Sequence, residues 1–400
     1  MTIRVPDHPS DAKDPMPSIS IRSALGKVSA PVRSAPTVNQ ALQASRQSSG
    51  FDFLRIGLAL SIILWHTVQV CYGPKAENWF WTGPLRPLVY LLVPSFFALS
   101  GFLVTGSLER NEITKFVFYR MVKIYPALIL EITLSALIFG AIFTNMPLVE
   151  YFRSGDLFNY LLNITGIRSL MIFTLPGVFE ANPSHIVNGQ LWSIPIEFEC
   201  YLILILMSVF GAFKKPYVVA LALYIVAVVY MCIMIAMHRH LPTTVRPQDG
   251  IVIASFICGV IVYLLRDKIK ISAFLFFLSF AAMWISFLYA STEILAVFPM
   301  TYCTIWIGVQ NLKFPWMRQI GNYSYGVFLY GFSIQQAVYS TLSLCRTPVP
   351  NFIVSSVIAL LIAAVSWHFV ELRATDNRNK MYNAIKGWLA SIELRAAQWI

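Results

Sequence analysis

Five ionisable side chains interrupt stretches that are otherwise apolar. Arg55 and His66 lie in FDFLRIGLALSIILWHTVQV, Arg120 and Lys123 in FVFYRMVKIYP, and Glu197 in NGQLWSIPIEFECYLIL. Their types divide the chemistry. The three cations can hold an anion, and a group with several phosphates suits them best. An imidazole titrates near neutrality and can take a proton from a hydroxyl. A carboxylate can pair with a cation or orient that hydroxyl. Arg55 and His66 are 11 residues apart. At about 100° per residue a helix puts both on one face, about 16 Å apart along its axis. Arg120 and Lys123, at i and i+3, also share a face. Glu199 follows Glu197 by two residues and points about 200° away, which makes it secondary. Each group has a plainer reading. Arg55 can snorkel at an interface, and Arg120 and Lys123 can anchor topology. His66 can make one interhelical hydrogen bond, and Glu197 can be a structural partner. The shared face of Arg55 and His66 counts against the plainer reading of both.

The elements that must position these groups follow from composition. The chain has 400 residues, 57% hydrophobic and 12% charged, with mean hydropathy +0.65. A soluble domain of this size would expose too much apolar surface. The apolar runs are long enough to cross a bilayer core of about 30 Å. They are continuous rather than alternating, which argues against a β-barrel. The fold class is therefore an all-α, polytopic helical membrane protein with about ten transmembrane helices. The expected spans are 52–71, 86–107, 116–144, 191–211, 217–237, 250–265, 271–289, 294–311, 321–342 and 351–371.

The net charge is +11. The basic residues gather at span ends, which marks topology rather than a groove for nucleic acid. With the N-terminus inside, most Lys and Arg fall on the inner side, so both termini are cytoplasmic and the loop 145–190 faces outward. Arg55 is then near the inner interface and His66 in the outer third. Glu197 sits one to two turns in from the outside, at the depth of His66. Residues 1–50, rich in Pro, Ser, Ala and Gln, read as a disordered cytoplasmic tail with no secretory signal peptide. Residues 51–372 form the membrane domain, and 373–400 a short cytoplasmic tail. The polar stretch 238–249 is a loop. The six cysteines share no metal or redox spacing, so no metal is expected.

Other segments read as packing devices. Ser100, Gly101, Thr105 and Gly106 make a small-residue face for close helix contact. Tyr325 and Gln335 supply hydrogen bonds at membrane depth. His368 and Glu371 form a terminal ion pair.

Taken in order, RIGLALSIILWH, FFALSGFLVT, RMVKIYP, LWSIPIEFECYL, SYGVFLYG and the terminal FVE resemble the acyltransferase-3 family of ten-span membrane O-acyltransferases. The resemblance covers about residues 50–371, and SYGVFLYGFSIQQ is most similar to members tied to bacterial exopolysaccharide acetylation. The chain departs from the family pattern in three places. Lys123 stands where many members have Arg, Gly331 where many have His, and Arg373 where Pro is common.

The resemblance implies an acyl-coenzyme A donor, acetyl by preference, bound from the cytoplasm. It implies a glycan or lipid-linked oligosaccharide acceptor in a bacterial inner membrane, among membrane lipid. Arg55, Arg120 and Lys123 would hold the phosphates. His66 would be the general base, or the carrier of an acyl-histidine intermediate, with Glu197 as its catalytic companion. Gln190, Trp192 and Tyr325 would meet the acceptor. Two other classes compete: a flippase for a lipid-linked glycan, and a donor sensor that needs no His66. No internal repeat supports the flippase.

Overall fold

The computed structural model describes residues 35–44, 49–237, 246–312 and 316–397. The tail through residue 34 and the loop residues 238–245 lie outside the described residues. Among the described residues all regular structure is helical, and extended pairing is limited to two isolated bridges.

A helix stands at each of the ten expected positions. They are α1 Ser49–Tyr72, α2 Leu92–Glu109, α3 Ile113–Leu134, α4 Ser193–Val209, α5 Pro216–Ala236, α6 Asp249–Leu264, α7 Ala273–Phe287, α8 Val297–Gly308, α9 Met317–Thr341 and α10 Pro348–Ser366. Two helices run on through a wide turn with i→i+5 bonding. The first, Ser135–Phe139, carries α3 on to Phe143. The second, Trp367–Glu371, joins α10 to α11, Leu372–Ala397. Six segments are long and apolar enough to cross a bilayer: those of α1, α2 with its lead-in from Arg86, the extended α3, α4, α5, and α10 with its continuation. α6, α7 and α8 are shorter apolar helices. α5 is apolar all round and buries Ala227 alone of its residues. Such a helix has lipid, not protein or water, as its natural surroundings.

α1, α9 and α10 pack together, as do α2 and α6. The small-residue face of α2 makes the second contact possible. Gly101 lies against the Phe256 backbone and Gly259 against that of Ala98, so a Cβ at either would strike main chain.

The segment between α3 and α4, expected as an outward loop, is built of short helices and turns. It runs back along α3, where Tyr151 donates to the Ala136 carbonyl at 2.6 Å and the Tyr125 hydroxyl donates to the Thr165 carbonyl at 3.4 Å. Tyr125 is about 27 Å before the end of the extended α3. Arg168 then grips Glu199 through two bonds of 2.9 and 2.7 Å, which gives Glu199 its structural role. Residues 182–192 return inside the bundle as an irregular strap along α9. Gln336 donates to the carbonyls of Ser184 and Ile186, at 2.8 and 2.6 Å. Irregular backbone survives at such depth only where protein groups satisfy it. Here the side-chain amides of α9 and of the strap do so.

Among the described residues, part of each end segment is helical. Val38–Ala44 is a helix docked on the turn after α6, with Val38 N donating to Ile269 O at 2.9 Å. α11 packs on the start of α3, where the Thr114 and Tyr382 hydroxyls are 2.8 Å apart.

Candidate active site

A cavity of about 200 Å³ lies among α1, α2, α3, α4 and α9, toward the end of the bundle where α1 begins. α1 gives it Arg55 and Ile62, and α3 gives Arg120 and Lys123. α4 contributes Ser193, Glu197 and Tyr201, while α9 contributes Asn322, Tyr325 and Phe328. Phe96 of α2 lies in the wall with its ring centroid 6.0 Å from that of Phe328.

The three cations are not equivalent. Arg55 is held by Asp52 at 2.5 Å. Lys123 is 3.5 Å from Glu371 and 4.5 Å from the Trp367 ring centroid. Arg120 makes no ion pair among the described residues, although the Glu197 carboxylate lies near enough to feel its charge, and its Nε, like that of Arg55, finds no acceptor. Its guanidinium carbon is 5.9 Å from the Phe116 ring centroid. Glu197 accepts a hydrogen bond from Tyr201.

Five of the eight residues singled out from the sequence therefore meet: Arg55, Arg120, Lys123, Glu197 and Tyr325. Glu197 joins the cations, not His66 as its place near the start of a span implied. The cause is the strap. α4 begins only after residues 182–192 have entered the bundle, so its first turns start deep. His66 is not in the cavity wall. It stands one turn beyond Ile62 on α1, about 6 Å farther along the axis. Its ring packs edgewise on Phe332, with centroids 5.0 Å apart, and it makes no hydrogen bond among the described residues.

Gln190 and Trp192 are committed elsewhere. Gln190 is buried, and its amide nitrogen donates to the carbonyls of Phe328 and Leu329 at 2.8 and 2.7 Å. Arg246 lies over the Trp192 ring at 4.5 Å. Glu371 pairs with Lys123 rather than His368, whose Nε2 is 3.1 Å from the Tyr323 hydroxyl. The wide turn at Trp367–Glu371 breaks the i, i+3 alignment on which the expected pair depends. Gln335 does bridge helices, donating to the Ile63 carbonyl at 2.9 Å and reaching Asn351 at 3.3 Å.

The sequence reading missed Glu131. This carboxylate is buried in the last turn of α3, and one of its oxygens accepts from Ser135, Asn188 and Ser333 at 2.8, 2.6 and 2.8 Å. An acid inside ALILEITLSALIF was the available signal. A second set runs from Lys123 through Glu371 and Ser366 to Tyr330, with Ser366 3.2 Å from Glu371 and 2.8 Å from Tyr330. These contacts fix α3, α9 and α10 around the cavity.

A family model for an acyltransferase domain, that of acyltransferase-3, matches residues 48–368. The chain is similar to an O-acetyl transferase of Shigella phage Sf6, 25% identical over 342 residues that cover 82% of this chain and 96% of the phage protein. It is also similar to an uncharacterised protein of Haemophilus influenzae, 28% identical over 149 residues, 35% of this chain and 57% of that one. No solved structure matches significantly. With the family match running across all ten helices and their shared cavity, this chain belongs to the acyltransferase-3 family and is an acyltransferase of the membrane.

Proposed function

We propose that this acyltransferase moves an acyl group, acetyl by preference, from acyl-coenzyme A to a hydroxyl of a glycan. The donor enters at the Arg55 end, which we take as the cytoplasmic face of a bacterial inner membrane. The acceptor, an exopolysaccharide, lipopolysaccharide or lipid-linked sugar, arrives from the far end. One observation carries this reading: Arg120, whose guanidinium makes no ion pair among the described residues, lines a cavity beside Arg55 and Lys123. A half-buried cation with no bonded anion is stabilised when an anion completes it, and the coenzyme's phosphates are such an anion. The Sf6 relative's description as an O-acetyl transferase supports acetyl and oxygen as the transferred and receiving groups.

In this reading the pantetheine arm runs along α1 past Ile62, Phe96 and Phe328. The acceptor hydroxyl oxygen attacks the thioester carbonyl carbon, the carbon–sulfur bond breaks, and the thiolate leaves. His66 takes the hydroxyl proton and returns it to the departing sulfur. Glu197, held by Tyr201, belongs to the donor end, where it sets the orientation of the cations. His66→Ala should slow transfer by about two to four orders of magnitude while acyl-coenzyme A binding is retained. Near-normal glycan acylation by an equally abundant His66→Ala protein would remove His66 from the mechanism.

A further inference from the structure

The far end of the bundle holds a second cavity, of about 570 Å³, a size common for small-molecule sites. The turn just past the extended α3 supplies Thr144 and Asn145, and the following segment supplies Phe179, Glu180 and Asn182. α9 gives Tyr339 and Ser340, and Arg346 comes from the turn after it.

This cavity is a built one. Gly177 has φ +70 and packs on the side chains of Asn145 and Thr144, where a larger residue has no room. Phe179 has φ 58. A bulky side chain in the left-handed region is strained, and such strain gathers at ligand sites. Its ring leans on Phe143, with centroids 5.0 Å apart. Asn145 donates to Glu180 at 2.5 Å, and Ser340 to Asn182 at 3.0 Å. Arg346 has no carboxylate partner among the described residues and stands 5.9 Å from the Tyr339 ring centroid.

The position matters as much as the lining. Phe328, Phe332 and Tyr339 fall within about 40° of one another around α9. One face of that helix thus passes from the cation cavity, past the ring that touches His66, to this second cavity. Phe332 and Tyr339 are about 10 Å apart along the axis, the reach of a short run of linked sugar rings.

We propose that this cavity is the acceptor subsite of the transferase, and that it binds a sugar unit flanking the one acylated. The unit is a pyranose with an acidic substituent. Tyr339 takes its ring face, and Glu180, Asn145 and Asn182 take its hydroxyls. Arg346 takes the acid, whether a uronic carboxylate or a sugar phosphate. The proposal rests on the acyltransferase reading above and adds where, and by which chemistry, the acceptor is chosen.

The test uses the full-length protein in its own cells and in purified form. Tyr339→Ala and Arg346→Ala should each lower acyl occupancy of the surface glycan at least tenfold by mass spectrometry. Their affinity for acetyl-coenzyme A should stay within twofold of the unaltered protein. Unchanged occupancy in both variants overturns the subsite and leaves the transferase reading intact. A protein whose own presence adds no acyl group to any glycan sinks that reading itself.

If a variant loses donor binding as well, a cysteine at Ser340 decides the matter in sealed membranes. Its reaction with an impermeant maleimide should be slowed by methyl glucuronide or glucose 1-phosphate and not by methyl glucoside. Protection by one acidic sugar alone identifies which acid Arg346 reads. Equal protection by all three, or by none, overturns the proposal.

Discussion

Arg86 and Arg120 are both drawn into the bundle, and their surroundings are opposite. Arg86 is 1% exposed, with Glu293 at 2.5 Å, the Phe287 carbonyl as a further acceptor and the Tyr90 ring centroid at 4.2 Å. The other oxygen of Glu293 is 3.4 Å from the Tyr230 hydroxyl. Arg120 is half-buried in the cavity wall and makes no ion pair among the described residues, with the Glu197 carboxylate as a charged neighbour. Arg86 has lost nearly all of its water and Arg120 part of it, so the desolvation cost is larger at Arg86. The chain offsets that cost at Arg86 with bonds from its own groups. At Arg120 it leaves the guanidinium open to the cavity. In the proposed function, that open guanidinium is the cation that binds, and the bonded, fully buried one is the cation that holds the fold.

The largest expected effect tests the first half of that contrast. Arg86→Ala leaves Glu293 buried and unpaired and should cost about 3–5 kcal/mol of stability, read as a drop in detergent melting temperature. Replacing both partners, as Arg86→Met with Glu293→Leu, should recover most of it; a double variant as unstable as the single one would mean the pair does more than fill the fold. Next comes Arg120→Ala. It should leave melting almost unchanged and weaken acetyl-coenzyme A binding by about 1.5–3 kcal/mol, the range for a hydrogen bond to a charged group. Unaltered affinity for the coenzyme would make Arg120 a topology anchor.

A smaller effect is expected at Lys123, whose charge is already shared with Glu371. Lys123→Arg should keep donor affinity within a few-fold, since it preserves the cation, and a complete loss of binding would assign Lys123 a role that depends on its shape. A separate effect lies outside the spans. Burial raises the Glu77 carboxyl from 4.5 to about 8. The unfolded chain releases that proton near pH 4.5 and the folded one keeps it until about pH 8. Stability should therefore fall as pH rises between those values and level off above them. Glu77→Gln should flatten that slope in melts taken across the same window, and an identical slope would assign it to another group.

The helices were legible because lipid demands uninterrupted apolar length, and length can be read from residues one at a time. The first cavity was legible in its cations, since Arg55, Arg120 and Lys123 stand in apolar runs where any charge is conspicuous. The strap was not. Asn182, Asn188, Gln190 and Gln336 look like ordinary polar residues until their carbonyl partners on other segments are known. That hidden course also moved Glu197 to the cation end. Glu131 escaped notice for a related reason: its three donors come from α3, the strap and α9, and no local spacing joins them. His66 stood out as an imidazole in an apolar run, but the rings of Phe96, Phe328 and Phe332 near it and the cavity belong to other helices.

The wide turn at Ser135–Phe139 takes up one residue more than a regular turn over nearly the same rotation. Each residue after it therefore stands about 100° behind the place an unbroken α-helix would give it. Deleting a single residue from this turn should restore a regular helix and leave its far end aimed as before at Gly177 and Glu180. Deleting one from the regular turns between Lys123 and Ser135 should instead swing that end by about 100°, while Arg120 and Lys123, upstream, kept their bearing. The wide turn is thus the one place along α3 where the chain can lose a residue without re-aiming the two ends of the helix relative to each other.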